Sequence, residues 1–191
     1  RGDSSVQAIV AGPGWRPEPD VLWIDLVRPT REEELAVEAA LGLQLPTVEE
    51  MEALEPSSRL YQEDGATFMT ATLLAHSGAQ APVATPATFV LARGVLVTVR
   101  YEDLRAFRIF SERPRTETTG AATLLSLLDA IVERLARVLD DTGDRVSEVS
   151  TAIFHRPPGG NFRPLLTGLA QAQSVTALAR TSLVSLGRLL S

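Results

Sequence analysis

Carboxylates are the chemically suggestive residues of this sequence. Glu49, Glu50, Glu52 and Glu55 crowd one short segment, and at helical spacing Glu49 and Glu52 share a face. Hard divalent cations such as Mg2+ take oxygen ligands and keep much of their water, so a few exposed carboxylates hold them without a closed cage. A structural reading competes with this one. Glu50 stands three residues after Thr47 and can be its capping-box partner, with the other three acids forming a solvated face.

Other chemistry finds little support. The sequence has no cysteine, which removes disulfides, thiol nucleophiles and Cys-based zinc sites together. Its two histidines, His76 and His155, are far apart and lack the spacing of a paired-His metal site. A small hydrolase would need a cleft and a partner around one of them, and no partner is evident, so the chain reads as a non-enzyme. The glycines of Gly12-Pro13-Gly14 and Gly159-Gly160 do not follow the strand-to-helix spacing of a phosphate loop and read as turns.

The 191 residues, 45% hydrophobic and 22% charged, suffice for a substantial core in one or two domains. All 18 basic residues are arginine, and the formal net charge is −6. Residues 1–100 carry a balance of −7 and residues 101–191 a balance of +1. An acidic first half repels phosphate and attracts cations, and the second half has no basic stripe, so nucleic acid is not an expected partner. No run of about 18 apolar residues marks a membrane span. The start at Arg1 and the missing leader suggest a cut piece without a secretory signal.

The elements that must position the acids follow from pattern and caps. Val6 to Val10 is a candidate first strand, and Val21 to Leu26 is a short β-rich run bounded by Asp20 and Arg28-Pro29. Thr30 and Glu33 form a capping box for a helix through Leu35, Val37 and Leu41 that stops at Gly42. Thr47 and Glu50 repeat the signature for a short helix ended by Pro56. Strands are expected at Arg59 to Gln62 and Ala66 to Ala75, then a loop from Ser77 to Pro86, then a hairpin of Thr88 to Leu91 and Val95 to Arg100 turning at Arg93-Gly94.

From Gly120 the period changes. Leu124, Leu128, Ile131, Leu135 and Val138 step by four and three, widened by Val132, Leu139, Val146, Val149 and Ile153, which predicts a helix of over 30 residues, whole or broken near Gly143. The stretch from His155 to Asn161 turns the chain. A second helix places Leu165, Leu169, Ala172, Thr176, Ala179, Leu183, Leu186 and Leu190 on one seam, making an antiparallel hairpin. The expected division is a sheet-and-helix domain over 1–118 and the hairpin over 119–191.

With these segments placed, the chain resembles the cytoplasmic domain of the CorA family of divalent-cation transporters. The resemblance is carried by Trp23-Ile24-Asp25-Leu26 with Pro29-Thr30, by Leu41-Gly42-Leu43, Glu49-Glu50-Met51, Glu55-Pro56-Ser57-Ser58-Arg59 and Phe68-Met69-Thr70. It continues in Leu127-Leu128-Asp129-Ala130-Ile131-Val132 and from Ser182 to Leu190. It implies an α/β/α sandwich with a central mixed sheet, followed by the helical hairpin, in a homopentamer. The full-length protein would sit in the inner membrane with this part on the cytoplasmic side, joined to a stalk, two membrane spans and a Gly-Met-Asn signature that lie outside this chain.

The resemblance further implies divalent ions held between neighbouring subunits. By position the acidic pair falls on Glu49 and Glu50, and a third acid falls on Asp129 in the long helix. Occupied sites would offset carboxylate repulsion and hold the subunits closed, while emptying them would favour opening. Mg2+ is the first expectation, with Co2+, Ni2+ or Zn2+ as others. The alternatives are a zinc-transporting relative of the ZntB type and a soluble module whose hairpin binds partner helices. Asp129 also has a plain reading, as a solvated acid or a partner of Arg134.

Overall fold

A computed structural model describes residues 6–55, 58–76, 81–114, 116–154 and 162–190. Five strands form one sheet: β1 (Trp23–Val27), β2 (Leu60–Glu63), β3 (Ala66–Ala75), β4 (Val83–Ala92) and β5 (Val95–Arg100). Their order is β1-β5-β4-β3-β2, with β1 parallel to β5 and every other pair antiparallel. The helices are α1 (Arg31–Leu41), α2 (Val48–Ala53), α3 (Arg105–Ser111), α4 (Gly120–Phe154) and α5 (Arg163–Leu189). The expected mixed sheet with flanking helices and a long hairpin is what the chain forms.

Strand alternation divides the core in two. On one face Phe68, Val90, Val97 and Val99 pack with Val37 and Leu41 of α1 and Met51 of α2. On the other, Ala71, Leu73, Phe89 and Leu96 meet Phe107 and Phe110 of α3, Leu127, Ile131 and Leu135 of α4, and Ala179 and Leu186 of α5. Phe68, Phe89 and Phe107 are fully buried, each worth about 1.5–3 kcal/mol relative to exposure. Helices α1 and α2 thus lie on one side of the sheet and α3, α4 and α5 on the other.

Both capping boxes form as the sequence dictates: Thr30 with Glu33, and Thr47 with Glu50. Gly42 closes α1 in the left-handed conformation at φ 65°. The two hairpin turns, Asp64-Gly65 and Arg93-Gly94, have positive φ at both central residues, which matches the right-handed twist of the flanking strands.

Several boundaries differ from expectation. Residues 6–10 form no strand, and Val6, Ile9 and Val10 are exposed, because no strand among the described residues pairs with them. Strand β4 begins at Val83, inside the expected loop. Pro86 is tolerated because the pairing of β4 with β5 ends at Ala87 and Arg100, so β4 has a partner on one side only there. Helix α2 stops at Ala53, before Pro56. Helix α3 was not foreseen; Leu104 caps it without a side-chain hydrogen bond, so no sequence signature announces it. Helix α4 runs unbroken through Gly143.

The seam of α5 is rotated from the expected one. Ala172, Ala179 and Leu186 are buried as expected, but Leu169, Leu183 and Leu190 are exposed. Val175, Ser182, Ser185 and Leu189 take the inner positions, because the C-terminal half of α5 also packs on β3. On α4 the main track is buried from Leu124 to Val138, whereas Val132, Val146 and Ile153 of the widening track are exposed.

Candidate functional site

The acids singled out in the sequence sit on two faces of the molecule. Glu49 and Glu50 lie in the first turn of α2, which Thr47 caps, and both are exposed. The Glu50 carboxylate accepts a hydrogen bond from the Thr47 backbone N–H at 2.8 Å, while the Glu50 N–H donates to the Thr47 hydroxyl at 3.3 Å. Glu50 therefore completes a cap and keeps one carboxylate oxygen uncommitted. Glu49 and Glu52 form no hydrogen bond or ion pair among the described residues.

Around them the acids of α1 are structurally engaged. Glu34 is buried, accepting from the Tyr101 hydroxyl at 3.1 Å and from Arg31 at 3.0 Å. Burial, followed by the charge of Glu34, its hydrogen bond and the charge of Glu49, pushes the Tyr101 phenol up to about 12. Glu38 accepts from the Leu45 N–H at 2.9 Å and so closes the turn between the helices. Glu32, Glu33, Glu34, Glu49 and Glu50 in the first turns of the two helices make the α1–α2 surface acidic.

Asp129 stands on α4, across the sheet from α2. It is exposed and pairs neither with Arg134 nor with any other described residue. With Glu117, Arg113 and Ser126 it lines a polar recess of about 210 Å³. The fold does not bring Glu49, Glu50 and Asp129 together within one chain, and no group of three or more His, Cys, Asp or Glu side chains among the described residues is arranged to hold a metal ion. Their chemistry is nonetheless that of hard-cation ligands: exposed oxygens, two of the three uncommitted.

Two features escaped sequence reasoning. The Trp23 indole N–H donates to Thr98 Oγ1 at 2.9 Å, and Thr98 Oγ1 donates to Asp25 Oδ1 at 2.7 Å. Arg100 completes the chain, donating through Nη2 to Asp25 Oδ2 at 2.9 Å and lying 4.9 Å over the Phe107 ring. The Trp-Ile-Asp strand thus owes its end residues to a partly buried polar network joining β1 to β5; only the register of the parallel pair, invisible in sequence, puts them side by side. His76 directly follows β3 with φ 55° and places Nε2 2.9 Å from Glu102 Oε2, which Arg28 also reaches at 3.1 Å. Glu102 is held below the usual carboxylate range, first by the His76 hydrogen bond and then by Arg28. His155 lies outside the described residues.

No helix among the described residues is long and apolar enough to cross a membrane. The sequence profile of the family described as "CorA-like Mg2+ transporter protein" matches residues 18–190. The magnesium transport protein CorA of Escherichia coli K12 is 26% identical over 180 residues, covering 92% of this chain and 57% of the relative. The CorA protein of Salmonella typhimurium LT2 is 26% identical over 176 residues, covering 90% and 56%. The chain spans little more than half the length of these relatives. Among solved structures, the soluble domain of CorA from Methanocaldococcus jannaschii superimposes with a TM-score of 0.56 at 13% identity, covering 88% of this chain and 84% of that one. The complete structure of the same transporter gives 0.57 at 13% identity, over 90% of this chain and 65% of that one. At such identity the likeness is one of fold.

Proposed function

Because this chain belongs to the CorA-like Mg2+ transporter family, we propose that it is the cytoplasmic regulatory part of a divalent-cation transporter of the inner membrane. The observation that carries the reading is the match of the family profile over residues 18–190, on a fold shared with the soluble domain of CorA from Methanocaldococcus jannaschii. Mg2+ is the proposed cargo, and the chain acts without catalysis. The proposed division puts the sheet and its helices in residues 1–118 and the arm towards the pore in residues 119–191.

The regulatory mechanism we infer is electrostatic. Copies of the chain assemble in a closed ring, a homopentamer, in which α2 of one copy faces α4 of the next. Glu49 and Glu50 then confront Asp129 across the contact, and like charges brought close repel. A hydrated dication between them offsets that repulsion and favours the closed ring, so falling cation releases it. The placement of these acids on opposite faces supports this reading, since a closed ring joins unlike surfaces.

The test uses the full-length protein in liposomes loaded with a Mg2+ indicator. Uptake that is inhibited by Mg2+ on the cytoplasmic side is expected. The combined changes Glu49→Gln, Glu50→Gln and Asp129→Asn should relieve the inhibition without abolishing uptake. Uptake that is absent for every divalent cation would overturn the transporter reading; inhibition unaltered by the triple change would overturn the assignment of the acids alone.

A further inference from the structure

On the regulatory reading given above, on which this rests, we propose that Arg59 is a positioning residue for the cation response. Bonding a β3 hydroxyl on the α2 side of the sheet and a hydroxyl of α5 through one nitrogen, it carries the position of α2, with Glu49 and Glu50, to α5. By strand alternation Thr70 and Thr72 share the face of Phe68, which packs with α1 and α2. Ala71 and Leu73 belong to the opposite face, in one apolar cluster with Ala179 and Leu186 of α5. Arg59 Nη1 donates to Thr72 Oγ1 at 2.6 Å and to Ser185 Oγ at 3.1 Å. The guanidinium therefore passes round the edge of the sheet and ties the two helical layers together.

Two routes join Arg59 to the acids. Along the backbone, the Leu54 N–H donates to the Glu50 carbonyl at 3.1 Å, the Ser58 N–H to the Glu55 carbonyl at 2.9 Å, and the Thr70 N–H to the Arg59 carbonyl at 2.8 Å. Through the core, Met51 stands next to Glu50 and is buried, and its Sδ accepts from the Thr88 hydroxyl at 2.8 Å. The Thr88 and Thr70 hydroxyls lie 2.8 Å apart, both buried, and Thr70 is two residues from Thr72 on the same face of β3. Such bonds are directional, so a shift of α2 is passed on through them rather than absorbed by sliding apolar contacts.

A coupling group needs two arrangements of similar energy. Arg59 Nε is buried and has no hydrogen-bond partner among the described residues, and Arg59 forms no ion pair among them. The tie to α5 thus holds one donor of a charged group unmet, a cost that disappears when α5 lifts from the edge and water reaches the guanidinium. With a dication on the acids α2 is fixed and Arg59 keeps Ser185; with the acids empty α2 shifts and Arg59 releases α5.

The experiment compares Mg2+ binding by calorimetry with inhibition of uptake in liposomes, both on the full-length protein. In the parent the two curves should share a midpoint. In Arg59→Gln inhibition should need about tenfold or more Mg2+ than binding does, with maximal uptake within about twofold of the parent. Thr72→Val removes one acceptor of Nη1 and keeps the β-branched shape of the strand residue. It should part the midpoints by about threefold, and it decides the matter should Arg59→Gln fold poorly. Midpoints that stay together in the deciding variant, with or without a loss of maximal uptake, mark a merely structural arginine and overturn the proposal. The triple change of Glu49, Glu50 and Asp129, run alongside, tests the acids separately, so failure of the arginine leaves their assignment standing. A parent whose uptake Mg2+ does not inhibit would overturn both.

Discussion

The backbone N–H of Thr72 donates to Ser185 Oγ at 2.9 Å, tying α5 to the edge of β3. Strand β2 covers that edge only as far as Leu60 opposite Met69, and the carbonyl of Arg59 takes one further N–H, from Thr70. Where the sheet runs out, a helix hydroxyl takes over. Arg59 supports it, donating through Nη1 to Thr72 Oγ1 at 2.6 Å and to Ser185 Oγ at 3.1 Å. The hairpin is therefore joined to the sheet by directional bonds as well as by apolar packing.

Ser185→Ala leaves the Thr72 N–H without its acceptor in a site where Ser185 is 5% exposed. An unsatisfied buried donor costs about 1–3 kcal/mol, and the better helix propensity of alanine returns about 0.5 kcal/mol. Urea denaturation should show a net loss of about 1–2 kcal/mol. A loss within about 0.3 kcal/mol would mean that solvent replaces the hydroxyl and that the tie has no energetic weight.

Glu50 can be tested for two roles at once. Glu50→Ala removes both cap acceptor and charge, and should cost about 1 kcal/mol of stability. Glu50→Gln keeps an oxygen for the Thr47 N–H and should stay within about 0.5 kcal/mol of the parent chain. Calorimetric Mg2+ titration of the full-length assembly then separates the roles. Weakened binding in both variants marks a ligand; weakened binding only in the alanine variant marks a cap whose loss displaces α2.

Tyr101 gives the fold an alkaline limit. Burial first, then the charge and hydrogen bond of Glu34, raise its folded value to about 12 from the ordinary 10.0. A raised phenol favours the neutral form in the folded state, so its contribution is complete below pH of about 10 and is lost as pH climbs towards about 12. Stability by urea denaturation should fall through that window, and Tyr101→Phe should flatten the fall. Absorbance at about 295 nm should show Tyr101 ionising only at the top of the window. Ionisation near pH 10 in the folded chain would contradict the burial argument.

What the sequence revealed was whatever is written in local spacing. Thr30 with Glu33 and Thr47 with Glu50 announce their helices because a capping box closes within four residues. The long stripe from Leu124 to Val138 is read from its period alone. The rest depends on partners distant in sequence. Val6 to Val10 has strand-like residues and no strand to meet, while Ser182 and Ser185 face inward on α5 because β3 lies beneath them. The acids were legible as cation-seeking groups, yet their separation onto two faces follows from which side of the sheet α2 and α4 cover. The Trp23–Thr98–Asp25–Arg100 network needed the β1–β5 register before it could be seen at all.

Two glycines of α4 provide a test in which the sign changes along one helix. Gly120 opens α4 where it meets the β4–β5 turn, and its N–H donates to the Gly94 carbonyl at 2.8 Å. A Cβ there would stand 2.6 Å from both Gly94 O and Leu96 N, which are backbone atoms that cannot swing aside. Gly120→Ala must therefore push the helix off the hairpin, at a cost of about 1–3 kcal/mol or more. Gly143 lies within the same helix with nothing within 4 Å of a built Cβ. There alanine removes only the backbone entropy penalty of glycine, so Gly143→Ala should stabilise by about 0.5–1 kcal/mol. Thermal and urea melts of the two variants should move in opposite directions. Stabilisation by Gly120→Ala would show that α4 does not seat against the turn as described, and destabilisation by Gly143→Ala would show that this exposed stretch of the helix is covered by something in solution.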